Sequence, residues 1–131
     1  MKIEINPRYE HLRSFVKSIP EIFDHSGELV YDSRNKVRIF TIEGEKLVVK
    51  RFKTPLFFQR FDYTFIRPSK ARRAYIFGMR LIELNISTPE PIACIEVYSN
   101  GLFLQGYFVS TYCGDPDMRI LREEPDGHER L

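Results

Sequence analysis

Lys50 is the residue in this sequence best placed to do chemistry. It stands at the end of Leu47-Val48-Val49, a β-branched run that predicts a strand. An ammonium carried by a rigid strand is a compact point charge able to neutralise phosphate, although a lysine in that position is far more often a solvated surface residue. The charge around it is uneven. From Lys50 to Arg80 cations recur against the single acid Asp62, interleaved with Phe57, Phe58, Phe61, Tyr63 and Phe65. That composition suits an anionic surface, or else a connector whose rings are core and whose cations are solvated. The tail reverses sign with Asp115, Asp117, Glu123, Glu124, Asp126 and Glu129. Asp115-Pro116-Asp117 reads as a turn and helix N-cap rather than as a pair of metal ligands. Cys94 and Cys113 lie in separate apolar runs without neighbouring Cys or His, which predicts buried reduced thiols and no metal site.

The elements that must position Lys50 follow from periodicity. Leu12, Phe15, Val16, Ile19 and Phe23 recur at helical spacing across Tyr9 to Phe23, with a kink or restart expected at Pro20. Three strands come next, over residues 28–31, 37–42 and 46–52, separated by the polar turns 32–36 and 43–45. Separations this short require antiparallel hairpins. Residues 53–68 show no clear pattern. Ser69 then caps a helix whose apolar face is Ala71, Ala74, Tyr75, Gly78, Leu81 and Ile82, ending near Asn85 before Pro89 and Pro91. Two further strands, 92–97 and 102–111, flank the turn Tyr98-Ser99-Asn100-Gly101.

At 131 residues, with 43% hydrophobic and 29% charged residues, the chain fits one soluble α+β domain. Its expected division is a helical segment over 1–26, a sheet-and-helix unit over 27–113 and a charged tail over 114–131. Eleven Phe and seven Tyr without Trp point to a β-rich core or a large apolar contact surface. No apolar run approaches the roughly 20 residues that span a bilayer, so a cytoplasmic location is expected.

A five-stranded antiparallel sheet with one long helix inserted between its third and fourth strands, preceded by an N-terminal helix, is the arrangement of a protein-kinase N-lobe. Lys50 stands where kinases carry the lysine of Val-Ala-Ile-Lys. Four runs, Ser33-Arg34-Asn35, residues 48–53, residues 67–73 and residues 86–93, resemble the lipopolysaccharide core heptose/Kdo kinase family over nearly all of residues 27–112. The resemblance implies that this is the N-terminal lobe of an ATP-dependent phosphotransferase acting on a core sugar. Lys50 then contacts the nucleotide phosphates, and Val48 packs on the adenine. Arg34 and Asn35, with Lys36, occupy the phosphate-covering turn, and Ser110 to Tyr112 lead into the hinge whose backbone meets the adenine edge. ATP is the implied cofactor, with magnesium held by a second lobe. The implied partners are the sugar acceptor and the inner face of the membrane, with no specific nucleic acid and with self-association of an isolated lobe.

Three departures qualify the resemblance. The turn lacks the Gly-x-Gly-x-x-Gly pattern, so an ordinary hairpin turn explains it as well. The inserted helix has no central acid to pair with Lys50, its Glu83 lying near the end. No His-Arg-Asp-type loop or Asp-Phe-Gly-type metal ligand occurs in residues 1–131, so these residues alone are expected to be inactive. A non-catalytic basic module that binds an anionic surface is the alternative.

Overall fold

The computed structural model describes residues 1–65 and 67–112. Six strands form one antiparallel sheet: β1 (Lys2–Ile5), β2 (Glu28–Asp32), β3 (Lys36–Ile42), β4 (Glu45–Arg51), β5 (Pro91–Ser99) and β6 (Leu102–Thr111), in the order β1-β5-β6-β4-β3-β2. The expected sheet has five strands, and β1 is the correction. Its Lys2-Ile3-Glu4-Ile5 alternation pairs with residues 93–96 of β5. Asn6 then ties the segment down, its amide donating to the Ile92 carbonyl at 2.9 Å and its side chain to the Pro91 carbonyl at 2.9 Å.

Two hairpin turns set the register. Glu43 and Gly44 have φ of 53° and 83°, and Asn100 and Gly101 have 54° and 82°, so both are two-residue turns of the twist that antiparallel strands favour. Ile42 therefore faces Glu45, and counting back along both strands sets Val37 opposite Lys50. β6 completes the row, with Phe108 beside Lys50 and Cys94 beside Phe108.

Helices cover the two faces. A 3-10 segment (Pro7–Leu12) leads into α1 (Arg13–Ile22), and the break lies at Tyr9, whose backbone is non-helical, while α1 runs through Pro20. Leu12, Val16, Ile19 and Phe23 are buried against Phe40, Leu47, Val49, Ile95, Tyr107 and Val109. This apolar stripe is the one predicted from spacing. The opposite face receives α3 (Lys70–Glu83), capped by the Ser69 hydroxyl, which accepts from the Arg72 amide at 3.2 Å. Ala71 and Tyr75 pack there with Phe52 and Cys94.

Two helices, not one, separate β4 from β5. Residues 57–65 form α2 (Phe57–Phe65) within the stretch that periodicity left unassigned. Its docking is polar. Arg60 Nε donates to the Phe103 carbonyl at 2.7 Å, and Thr64 Oγ1 accepts from the Phe103 amide at 2.6 Å. Tyr63 meets the Phe103 ring edge-on at 5.6 Å.

Cys94 is a free, buried thiol under α3. Burial pushes it up to about 12, and the charges of Glu4 and Glu96 act in the same direction. Iodoacetamide at pH 8 is therefore expected to alkylate Cys94 on the order of a hundredfold more slowly in the native chain than in denaturant, since only thiolate reacts. Mass analysis of the Cys94 peptide checks this, and equal rates would show that α3 does not seal this face. Cys113 and the Asp115-Pro116-Asp117 turn lie outside the described residues.

Candidate functional site

Alternation along β4 places Leu47 and Val49 toward α1 and leaves Val48 and Lys50 on the face that carries α3. β4 lies between β3 and β6, so Lys50 is held by a strand paired on both sides. The residue is 9% exposed, and its Nζ sits 4.9 Å from the centroid of the Phe52 ring, two residues on along the same face. Val37 and Phe108 are its cross-strand neighbours.

Val48 is buried with Val37, and Val30, Tyr31, Ile39 and Tyr112 pack against the pair. An apolar patch therefore adjoins the Lys50 ammonium on one surface. Sequence reasoning named Val48 but missed Val37. Counting back from the Glu43-Gly44 turn was the signal that locates it. Phe52, the ring beneath Lys50, was likewise legible from period two.

The hinge-side residues are largely engaged. Ser110 is 7% exposed and stands opposite Val48. The Thr111 amide donates to the Glu90 carbonyl at 3.0 Å, and the Tyr112 amide to the Lys46 carbonyl at 3.2 Å. The Tyr112 ring lies 5.1 Å from Lys46 Nζ. Main-chain recognition by donors at 111 and 112 thus competes with existing bonds.

The turn before β3 is built differently from a glycine loop. Asn35 is buried, and its side-chain carbonyl accepts from the Lys53 amide at 2.8 Å, stapling the turn to the end of β4. Arg34 lines a cleft with Lys36, Arg51 and Lys53. The structure thus brings Lys50, Val48, Ser110 and Tyr112 to one region, while Arg34 joins a separate cluster.

On α3, the residues buried toward the sheet are Ala71, Tyr75 and Gly78. Glu83, the helix's single acid, keeps a side chain 74% exposed and lies 3.9 Å from Arg80. The acid tying α3 to the sheet belongs instead to β5. Glu96, 3% exposed, accepts from the Ser69 hydroxyl at 2.7 Å and from Arg72 at 3.4 Å, while Arg72 also pairs with Glu4. Among the described residues no group of His, Cys, Asp and Glu can hold a metal ion, and no helix is long and apolar enough to cross a membrane.

The six-stranded antiparallel sheet, with Lys50 on an inner strand and α2 and α3 inserted between β4 and β5, has a kinase-like fold. Among solved structures, the chain is similar to WaaP in complex with acyl carrier protein, with a TM-score of 0.54 and 14% identity. The match covers 95% of this chain and 48% of that one, so the chain spans about half the length of its structural neighbour. At this identity the likeness shows the fold alone. No protein-family model and no curated protein matches the sequence.

Proposed function

We propose that the chain is the nucleotide-covering lobe of an ATP-dependent kinase that phosphorylates a lipopolysaccharide core sugar, heptose or Kdo. The observation that carries this reading is the adjacency of Lys50 to the Val37–Val48 patch on the face crossed by α3. The ammonium serves the phosphates of ATP, and the two valines offer an apolar bed for its base. Magnesium supplies charge neutralisation at the transferred phosphoryl group and is held by residues of a second lobe. The acceptor hydroxyl and its activating base belong to that lobe too, so residues 1–131 by themselves turn over no ATP. An enzyme that phosphorylates lipopolysaccharide precursors acts, on this proposal, at the inner face of the cytoplasmic membrane.

The test is an ATP titration of the isotope-labelled chain, read by amide resonances. Shifts centred on Val37, Val48, Lys50 and Ser110, and abolished by Lys50→Met, are the expected result. No shift, or a shift that Lys50→Met leaves unchanged, removes the reading.

A second reading, a non-catalytic module for an anionic surface, draws on α3. Ile76 and Phe77, 48% and 64% exposed, lie on a helix that also exposes Arg73 and Arg80. Co-sedimentation with anionic vesicles that survives Lys50→Met, without any response to ATP, favours this module. A carrier protein of the kind bound in the similar structure is a further partner to test on that helix.

A further inference from the structure

At the end of the sheet four cations surround one cleft of about 420 Å³. Arg34 and Lys36 come from the turn before β3, Arg51 and Lys53 from the end of β4, with Phe52, Thr54 and Gln105 completing the lining. The register explains why Lys36, Arg51 and Gln105 avoid the Lys50 surface. Lys36 pairs with Arg51 one position away from the Val37–Lys50 pair, and Gln105 keeps the parity of Tyr107, which packs toward α1.

The charges are unequally compensated. Arg51 is spoken for by Asp24 at 3.0 Å and by the Phe23 ring, 4.7 Å from its guanidinium carbon. Lys36 also acts on Asp24, helping the Arg51 hydrogen bond to lower its carboxyl, while Arg34 and Lys53 form no ion pair among the described residues. The cleft contains no carboxylate in its lining. Converging like charges repel one another unless an anion enters, so the arrangement carries a standing electrostatic preference for one. It is also held in shape without a ligand. Asn35 staples the turn to the Lys53 amide, Thr54 donates to Gln105 at 3.0 Å, and Gln105 donates to the Phe52 carbonyl.

We propose that this cleft binds a phosphate-bearing ligand, at a site separate from the nucleotide position. Arg34 supplies a planar fork for two phosphate oxygens, while Lys36 and Lys53 supply point charges from opposite walls. The site does not depend on Lys50 and stands or falls independently of the kinase reading.

Pyrophosphate titrated into the isotope-labelled chain at low salt tests it. The amides of Arg34, Lys36, Lys53 and Thr54 shift, and the double variant Lys36→Gln, Lys53→Gln binds about tenfold or more weakly, as loss of two charged hydrogen bonds requires. Lys50→Met binds as the parent does. A parallel arm uses phosphatidylcholine vesicles with and without phosphatidic acid. Binding of the phosphatidic acid vesicles but not of free pyrophosphate assigns the phosphate to a lipid headgroup, and the reverse assigns it to a soluble compound. Binding undiminished in the double variant, shifts centred on Val48 and Lys50 and lost in Lys50→Met, or no response to either probe overturns the proposal.

Discussion

Phe23→Ala is expected to destabilise the chain by about 3–5 kcal/mol, the range for truncating a fully buried aromatic side chain. Phe23 has no exposed surface and closes the C-terminal end of α1 against the sheet. Tyr107 meets its ring edge-on at 5.6 Å, and the Phe40 ring lies 6.5 Å away. Arg51 and Arg38 approach the same ring at 4.7 Å and 5.5 Å. Truncation therefore leaves a cavity under two guanidinium groups and removes their aromatic partner. A domain of this size has only about 5–15 kcal/mol of stability, so the variant stands near the edge of folding. Urea unfolding followed by circular dichroism measures the loss. Phe23→Leu restores much of the volume and recovers most of it. A loss below about 1 kcal/mol for the alanine variant would mean that α1 does not pack as described.

Gly78→Val is expected to cost about 1–3 kcal/mol through overpacking, even though glycine is a poor helix former. A Cβ at Gly78 comes within 2.6 Å of the Pro91 Cγ. Pro91 is fully buried at the start of β5, and its closed ring cannot rotate away. The helix must lift instead. Gly78→Ala loses less, because a gain of about 1 kcal/mol in helix propensity opposes the clash. Lifting α3 also opens the face it seals, so Cys94 becomes easier to alkylate in the valine variant. A valine variant as stable as the parent, with Cys94 still protected, would falsify this close approach of α3 to β5.

Particular residues show how far the chain can be read without coordinates. The α1 stripe and the Ser69 cap were legible because each depends on neighbours within four residues. The register of β3 and β4 was not: the expected turn spans the three residues 43–45, whereas Ile42 faces Glu45 across the two-residue turn Glu43-Gly44. The strand β1 was not found. Four alternating residues at a chain end form a strand only when a distant edge accepts them, and that edge is residues 93–96. The helix α2 escaped for the same reason, its hold on Phe103 being made by Arg60 and Thr64 across some forty positions of sequence.

The basic segment illustrates the remaining gap. By composition it is an anionic-surface motif, yet Arg51 serves Asp24, Arg60 a carbonyl, Arg67 pairs with Asp62 at 2.5 Å, and Arg72 reaches Glu4 and Glu96. Charge counts cannot distinguish a solvated cation from a structural one, because the difference lies in which acids the fold brings near.

What the sequence determined by itself was local: the strand and its lysine, the valine beside it, the turns, the caps and the apolar helix faces. The tertiary structure alone decided that Tyr112 packs against Val37 and Val48 next to Lys50. It also decided that the acid anchoring α3 comes from β5, and that Arg34 and Lys36 meet Lys53 at the end of the sheet. The physical reason is range. Periodicity and turn chemistry act over a few residues, whereas burial and charge pairing are set by which distant segments the sheet places side by side.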